Sequence, residues 1–527
     1  MDAGDDAGGR AGVVFVAALV AVLATYLVLL TTVPNSFIGD DTDQIVFAQG
    51  LFGGYHEQPP LYSWLTWLSC RTFGPTRFAL GLLKTLVLGS IYVALYRLAR
   101  LILDDGRHAA LAAGAVVLIP TFSWNSAAYL THSNLACALG VASVSAVVRV
   151  GRGGRWRDYA WLGVCLGLGT LSKYNYLVFA GALLAAGLTS AAYRPRLLDR
   201  RMLLALGIAL VVVWPHARWV IGHWETIVRL GALKARLAAG TRPVGGGAYG
   251  AARLAANLVL VLAPLAAVMV RCAPGAFRPV LPTAGPVADV NRLLGRTFVF
   301  ALGMGLTLIA ATGAAHVHER WLQPFAILMP VYLFGRLSLR PPAASRLGEL
   351  AVAQGVAVVL VLGAWVVQTG WGVHGFGGYQ PTVSFREAAE RLAVEAGGGN
   401  TVVSADRTIA ANFAYWLRGL RHACASHLLF LPPGELRGDC VVVWNVSEGP
   451  REPPPYVRRF TSERLALTRP DSAQARYLDV RDRATGRVAA RLAYLVLPGD
   501  LRLSPAPPAA PGTTGTAGRA RPRRRAA

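Results

Sequence analysis

Three carboxylates lie within four residues, at Asp40, Asp41 and Asp43, directly after the first long apolar stretch of the chain. A carboxylate at a membrane surface can act as a general base and take the proton from an attacking hydroxyl or amine. Neighbouring carboxylates raise one another's pKa, which suits one of them to that task. A second interpretation stays open here: a short helix over about residues 41–52, capped by Asp40, whose dipole stabilises acids in its first turn.

The composition indicates that membrane-spanning helices must position these acids. The chain has 527 residues, of which 54% are hydrophobic and 15% are charged, whereas soluble proteins carry about 25% charged residues. The apolar residues occur in blocks of roughly 18 or more, a length that crosses about 30 Å of hydrocarbon. We therefore predict a mostly α fold, a polytopic bundle of about eleven transmembrane helices. The predicted spans are approximately 12–32, 78–101, 108–122, 128–148, 159–171, 174–192, 202–221, 251–270, 297–313, 323–338 and 349–368.

The formal net charge of +24 has a membrane explanation, and no nucleic-acid partner is predicted. The arginines form short runs between apolar blocks, which is typical of cytoplasmic loops that orient helices. With the N-terminus inside and an odd number of spans, the first loop (33–77) lies on the extracytoplasmic side of the inner (plasma) membrane. The residues from about 370 onward are expected on the same side.

Three regions are predicted along the chain: a transmembrane domain over residues 1–370, a small soluble α/β domain over 371–500 and a disordered basic tail over 501–527. Within the second region, strand and helix patterns alternate, which predicts a mostly parallel sheet. The strand patterns lie at 401–404, 440–444 and 491–497, and the helix patterns at 384–392 and 409–417.

The six cysteines show neither a CxxC pair nor zinc-ligand spacing. Cys424 and Cys440 fall in the region expected outside the cytoplasm, where disulfides persist. Whether these two cysteines pair stays open at this point.

Other polar groups stand at predicted span ends. Lys173 follows an apolar run, where it either extends toward the interface or pairs with an anionic phosphate. Arg320 lies in a short loop with His316, His318 and Glu319, and charges at such boundaries are costly and usually functional. Two histidines without a placed third ligand are a weak metal site. No cofactor is therefore predicted, although a divalent metal stays open.

The first loop resembles that of a known enzyme family. The segment from Asp40 to Gln49, the turn Gly54-Tyr55 and the segment from Gln58 to Leu65 are similar to the first extracytoplasmic loop of GT-C glycosyltransferases. The similarity is greatest to the bacterial RgtA/B/C/D-like branch of family 39, which is related to protein O-mannosyltransferases and to the aminoarabinose transferase ArnT. Leu171-Ser172-Lys173-Tyr174, His318-Glu319-Arg320-Trp321-Leu322-Gln323-Pro324 and a small α/β domain after the last span also fit this family.

The resemblance implies roles for individual residues. Asp40 matches the presumed catalytic base, and Asp41 stands beside it where the family usually has Glu. Gln58 stands where many relatives have Lys or His, a cation expected near the donor phosphate. That charge must therefore come from His56, Lys173 or Arg320. The substrate-binding residues implied in this way are His56, Gln58, Tyr62, Lys173, His318 and Arg320.

These features lead to the hypothesis of an integral membrane glycosyltransferase. It would move a sugar, with inversion, from a polyprenyl-phosphate-linked donor to an extracytoplasmic envelope acceptor: lipid A or core sugars of lipopolysaccharide, another glycan or a protein. A transporter or flippase for a lipid-linked glycan is the main alternative, and it predicts charges at mid-membrane and internal repeats. A non-catalytic membrane scaffold is the other.

Overall fold

The computed structural model describes most of the chain. The described residues are 3–56, 58–126, 131–228, 246–279, 284–315, 317–340, 346–371, 381–395, 401–427, 429–431, 439–447, 452–465 and 474–497. The predicted tail, 501–527, lies outside these ranges.

The first part of the described chain is helical. Its α-helices, numbered in chain order, are α1 (Ala3–Thr32), α2 (Asp40–Phe47), α3 (Leu61–Phe73), α4 (Arg77–Ile102), α5 (Gly106–Gly114), α6 (His132–Arg152), α7 (Trp156–Ser172), α8 (Tyr176–Leu188), α9 (Arg194–Leu197), α10 (Met202–Gly222), α11 (Gly246–Cys272), α12 (Pro286–Thr312), α13 (Gln323–Ala326), α14 (Met329–Ser338) and α15 (Leu347–Trp371). Each predicted apolar segment contains helix. Within the described residues, seven helices are long and apolar enough to cross a membrane: α1, α4, α6, α10, α11, α12 and α15.

Two predicted spans are interrupted. The segment predicted at 108–122 is α5, followed by a 3-10 turn at Ala115–Leu118 and a π-helical turn at Thr121–Asn125. The segment predicted at 323–338 is split into α13 and α14. Proline lacks the backbone N–H that a continuous helix needs, and prolines stand at each interruption, at positions 120, 324 and 330.

Small residues allow the helices that carry the site to pack closely. At Gly163 of α7, a Cβ atom would lie 2.4 Å from the backbone oxygen of Ala205 in α10, and at Gly167 it would lie 2.8 Å from Val212. Such contacts between backbones are the usual basis of helix association in membranes. The close packing holds α7 against α10, and Lys173 directly follows the last residue of α7.

A mixed sheet follows α15. Its strands are β1 (Val383–Ser384), β2 (Thr401–Ser404), β3 (Arg421–Cys424), β4 (Cys440–Asn445), β5 (Arg476–Asp482) and β6 (Val488–Leu497), and its helices are α16 (Arg386–Glu395), α17 (Arg407–Trp416) and α18 (Pro455–Leu465). The six strands have the order β1-β5-β6-β4-β2-β3. Only the β2–β3 and β2–β4 pairs are parallel. The prediction of a mostly parallel sheet was therefore wrong, because β5 and β6 form an antiparallel hairpin that pairs with β4.

Cys424 and Cys440 are free, buried thiols. They stand on β3 and β4, which are separated by β2. Cys424 is in register with Ser404, whereas Cys440 is in register with Thr401. Two strand spacings and an offset of three residues place the two cysteines roughly 14 Å apart, well beyond the reach of a disulfide.

Candidate active site

The acidic segment forms a helix that is shorter than predicted. Helix α2 begins at Asp40, and Gly39 is its N-cap with a φ of 63°, so Asp40 is the first helical residue rather than the cap. A positive φ is readily adopted by glycine, which explains why the helix starts here. Ile45, Val46 and Phe47 are buried and anchor α2, while its acids stay half-buried at the other end.

Asp40 faces the ends of α6 and α7. The hydroxyl of Thr131 donates a hydrogen bond to Oδ2 of Asp40 at 3.2 Å. Lys173 directly follows α7, and its ammonium donates to Oγ of Ser133 at 2.5 Å. The charge of Asp40 acts on that ammonium, and so does the charge of Arg320. Lys173 is therefore the group on which the charges of Asp40 and Arg320 both act, although these residues lie on distant segments of the chain.

The ammonium of Lys173 is easier to deprotonate than that of an ordinary lysine. Burial lowers its pKa most, the neighbouring charge of Arg320 lowers it further and Asp40 opposes both, which leaves the pKa at about 8. A bound anion would oppose both lowering effects because it favours the charged ammonium. The arrangement is therefore suited to bind a phosphate.

Asp41 points in a different direction from Asp40. Nζ of Lys84, a buried residue of α4, lies 2.7 Å from Oδ2 of Asp41. Burial raises the pKa of Asp41, and the charge and hydrogen bond of Lys84 oppose that rise. Both residues border a cavity that also contacts Arg77 and Trp365. The two adjacent carboxylates therefore have separate environments. Asp40 accepts a hydrogen bond from the hydroxyl of Thr131, whereas Asp41 forms an ion pair with Lys84.

A buried polar network fixes α2 on its neighbours. Oε1 of Gln44 accepts hydrogen bonds from Ser63 at 3.0 Å and from Thr66 at 3.4 Å, both on α3. Its amide nitrogen lies 3.2 Å from Nε2 of His132 on α6. The ring of Tyr62 lies 5.5 Å from the ring of His132. Helices α3 and α6 therefore hold the acidic helix in one orientation, which a catalytic group needs.

Asp43 connects the first loop to the mixed-sheet region that follows α15. Its Oδ1 lies 2.9 Å from Nε2 of His427, and its Oδ2 lies 2.9 Å from Nη1 of Arg407. Burial tends to raise the pKa of Asp43, but the hydrogen bonds and charges of His427 and Arg407 outweigh it and lower the pKa. Asp43 is in the first helical turn, as expected, but its partners show that it does more than favour the helix start.

Two further pairs of hydrogen bonds connect the same parts of the chain. The side chain of Asn412 accepts from the backbone N–H of Phe37 at 2.9 Å and donates to the backbone oxygen of Phe37 at 3.1 Å. Gln49 donates to the backbone oxygen of His422 at 2.8 Å and accepts from its N–H at 2.9 Å. The first loop and the mixed-sheet region therefore form one packed unit around α2.

The other predicted substrate-binding residues are spread around this centre. The ring of His56 lies 5.3 Å from that of His427, on the side of Asp43. Gln58 is exposed. His318 and Arg320 are exposed on the short loop before α13, next to Glu319, which accepts a hydrogen bond from Asn125 at 3.3 Å. His316 of the suggested histidine pair lies outside the described residues.

Several residues of the site were not predicted, and their sequence signals differ in strength. Lys84 had a usable signal, because a lysine inside an apolar span is costly unless it is paired. Thr131 and His132 stand at the start of a helix without any pattern that marks them. Arg407 and His427 lie hundreds of residues from Asp43 and could not be assigned from local sequence.

Comparison with known proteins agrees with this layout. Residues 57–219 match the family described as dolichyl-phosphate-mannose-protein mannosyltransferase. The lipopolysaccharide core galacturonosyltransferase RgtA of Rhizobium johnstonii is 32% identical over 327 residues, which cover 60% of this chain and 63% of RgtA, less than two thirds of it. RgtB of the same organism, also a lipopolysaccharide core galacturonosyltransferase, is 27% identical over 466 residues, 86% of this chain and 92% of RgtB.

In sequence and in layout, the chain is similar to GT-C glycosyltransferases. The resemblance read from the first loop is thereby confirmed. Among solved structures, the chain is similar to ArnT from Cupriavidus metallidurans in the apo state, with a TM-score of 0.59 and 13% identity over 92% of this chain and 97% of ArnT. For ArnT bound to undecaprenyl phosphate, the TM-score is 0.55 at 12% identity over the same shares. At such identities, the likeness establishes the GT-C fold.

Proposed function

We propose that the protein is a membrane glycosyltransferase that uses a polyprenyl-phosphate-linked sugar. The observation that carries this proposal is the position of Asp40, a half-buried carboxylate that accepts a hydrogen bond from Thr131 and whose charge, like that of Arg320, acts on Lys173. A carboxylate near a lysine that also has an arginine neighbour fits a reaction in which a hydroxyl loses a proton while a phosphate departs. All of these groups lie at helix ends, where a lipid-linked phosphate is accessible.

The proposed reaction is a single displacement at the anomeric carbon of the donor. Asp40 takes the proton of the acceptor hydroxyl as the new carbon–oxygen bond forms. The bond between the sugar and the phosphate oxygen breaks, and its electron pair leaves with the polyprenyl phosphate. Lys173 and Arg320 stabilise the negative charge on that phosphate. Because one displacement occurs without a covalent intermediate, the sugar transfers with inversion.

The remaining acids have supporting roles in this proposal. Asp41, paired with Lys84, is held in place rather than available as a base, and Asp43 fixes α2 through Arg407 and His427. Tyr62, His56, Gln58 and His318 are proposed to contact the sugar or the acceptor. No step requires a bound metal.

The relatives support a choice of donor and acceptor for this proposal. The names of RgtA and RgtB favour a uronic acid as the sugar and the lipopolysaccharide core as the acceptor, and the ArnT complex favours undecaprenyl phosphate as the carrier. The distribution of arginines between the loops favours an inner membrane location with an extracytoplasmic site.

The decisive experiment supplies purified protein in detergent with a polyprenyl-phosphate-linked uronic acid and lipopolysaccharide core acceptors. Asp40→Asn should lower the rate of transfer by about 10²–10⁴-fold, with an unchanged melting temperature. Asp104→Asn, an exposed acid beyond the far end of α4, is the matched control and should retain wild-type transfer. Failure of the wild-type protein to transfer any polyprenyl-linked sugar would contradict the proposal. Movement of the donor across vesicles by both wild type and Asp40→Asn would instead indicate a flippase.

A further inference from the structure

A second charged site lies at the opposite end of α6 from Asp40. Helix α6 begins at His132, next to Thr131, and ends at Arg152. Its 21 residues span about 31 Å, roughly the thickness of the hydrocarbon core. Groups around Arg152 therefore lie at the other membrane face from the candidate active site.

Four arginines surround a cleft at this position. The cleft, of about 530 Å³, lies at the hairpin between α6 and α7, and a volume of this order is typical of small-molecule sites. Its charged lining consists of Arg149, Arg152, Arg155, Arg157 and Asp158. Four positive charges and one negative charge leave a formal excess of +3 in the lining. The cleft is thus electrostatically suited to an anion.

The single acid of the cleft is already engaged. Oδ2 of Asp158 accepts a hydrogen bond from the backbone N–H of Arg155 at 3.2 Å, so it caps the start of α7. Throughout the described part of the chain, no carboxylate lies within salt-bridge distance of the four guanidinium groups. All four are exposed and can donate to a bound phosphate, for which the guanidinium geometry is well suited.

The hairpin that presents these arginines is held in shape. Gly154 adopts a φ of 59° in its turn. Its backbone oxygen accepts a hydrogen bond from Nη1 of Arg201 at 2.5 Å. The guanidinium of Arg201 also lies 5.6 Å from the centre of the Trp156 ring. A fixed turn keeps the four arginines together around one cleft instead of dispersing them into solvent.

Two exposed tryptophans indicate where the cleft stands relative to the bilayer. Trp156 is 54% exposed and Trp161 is 46% exposed, and Trp161 lines the cleft itself. Exposed tryptophans near the ends of apolar helices favour the headgroup level of a membrane. An occupant of the cleft therefore meets both phosphate-binding groups and an interfacial aromatic surface, a combination that matches a lipid headgroup better than a free ion.

We propose that this cleft binds the phosphate headgroup of an anionic phospholipid in the leaflet opposite the candidate active site. Basic clusters between membrane helices provide such headgroup sites because each arginine gains attraction to lipid phosphate. The site is separate from the proposed glycosyl transfer, and either proposal can fail without the other.

The test compares lipid binding to the full-length protein purified in detergent. Phosphatidylglycerol or phosphatidylcholine is added, and bound lipid is counted by native mass spectrometry. The wild-type protein should retain phosphatidylglycerol in preference to phosphatidylcholine. Replacing Arg149, Arg152, Arg155 and Arg157 by Gln should weaken that retention at least tenfold. The matched control replaces four exposed arginines of the mixed-sheet region by Gln: Arg386, Arg391, Arg481 and Arg487.

Three outcomes would overturn the proposal. The first is equal retention of the two lipids by the wild-type protein, and the second is an equal loss of phosphatidylglycerol in the cleft variant and the control. The third is displacement of phosphatidylglycerol by millimolar inorganic phosphate, because it would indicate a site for the free ion. If the fourfold variant does not fold, the pair Arg152→Gln and Arg155→Gln is compared with Arg481→Gln and Arg487→Gln in the same assay.

Discussion

The carboxylate of Asp43 and the imidazole of His427 lie 2.9 Å apart, although 384 residues separate them in the sequence. Arg407 binds the other oxygen of the same carboxylate at 2.9 Å. The acidic helix that begins at Asp40 is thus fixed from one side by α3 and α6, and from the other by the mixed-sheet region. The position of the candidate base depends on both ends of the chain.

Removal of the Asp43 carboxylate should destabilise the protein and make its unfolding free energy depend less on pH in acid. Because the pKa of Asp43 is lowered in the folded protein, its ion pairs contribute stability above the unfolded carboxyl pKa of about 3.9. That contribution is lost as the pH falls through the lowered folded pKa. Asp43→Asn should lower the unfolding free energy at pH 7 by about 1–3 kcal/mol.

Denaturant unfolding in detergent between pH 3 and pH 7 measures this effect. Asp479→Asn is the matched control, because Asp479 also binds an arginine, Arg491, at 2.8 Å but at an exposed position, where ion pairs contribute little. Identical acid profiles for the wild type and Asp43→Asn would show that these ion pairs do not stabilise the fold.

The Asp41–Lys84 pair should show strong energetic coupling. Lys84→Met leaves a carboxylate without its cation, and Asp41→Asn leaves a buried ammonium, so each should cost about 3–5 kcal/mol. The double variant removes both charges and should recover most of that loss. A double-mutant cycle based on denaturant unfolding measures the coupling. Additive losses in the double variant would contradict a direct ion pair.

Donor binding should weaken in alkaline buffer because of Lys173. Its pKa of about 8 means that the free protein loses this positive charge as the pH rises through that value. The wild-type kcat/KM should therefore fall above about pH 8, since this ratio reports groups of the free enzyme. Lys173→Arg should keep its charge and shift the fall to a higher pH. An unchanged profile in Lys173→Arg would exclude Lys173 as the titrating group.

Cys424 and Cys440 should remain thiols even if they face an oxidising compartment. Their positions on β3 and β4, with β2 between them, prevent a disulfide without a rearranged sheet. Protein isolated without reductant, unfolded and treated with a maleimide should be labelled at both positions by mass spectrometry. Recovery of a peptide in which Cys424 and Cys440 are cross-linked would refute this register.

The sequence was informative wherever a local pattern determines the structure. Apolar runs located the helical segments because burial in hydrocarbon depends on composition and length. Pro120 nevertheless interrupts one predicted span, since a single missing N–H changes a helix without changing its hydropathy. The antiparallel pairing of β6 with β4 was not predictable from local pattern, because it joins strands that are distant in the sequence.

The residues of the candidate site likewise include some that the sequence predicted and some that it did not. Asp40, Lys173 and Arg320 were predicted from their chemistry and from the family resemblance, and in the structure the charges of Asp40 and Arg320 both act on Lys173. Their roles stay predictions. Lys84 was missed although its charge inside a span was a visible signal. The partners of Asp43 depend on a contact between the first and last parts of the chain, which no local spacing encodes.

The double hydrogen bond between Asn412 and the backbone of Phe37 spans 375 residues. At about 5–20 residues per second, the ribosome needs roughly 20–75 s to add them. The acidic helix is therefore synthesised well before one of its supports. A nascent chain that has not yet reached Asn412 holds the three acids without the contact that fixes the segment just before them.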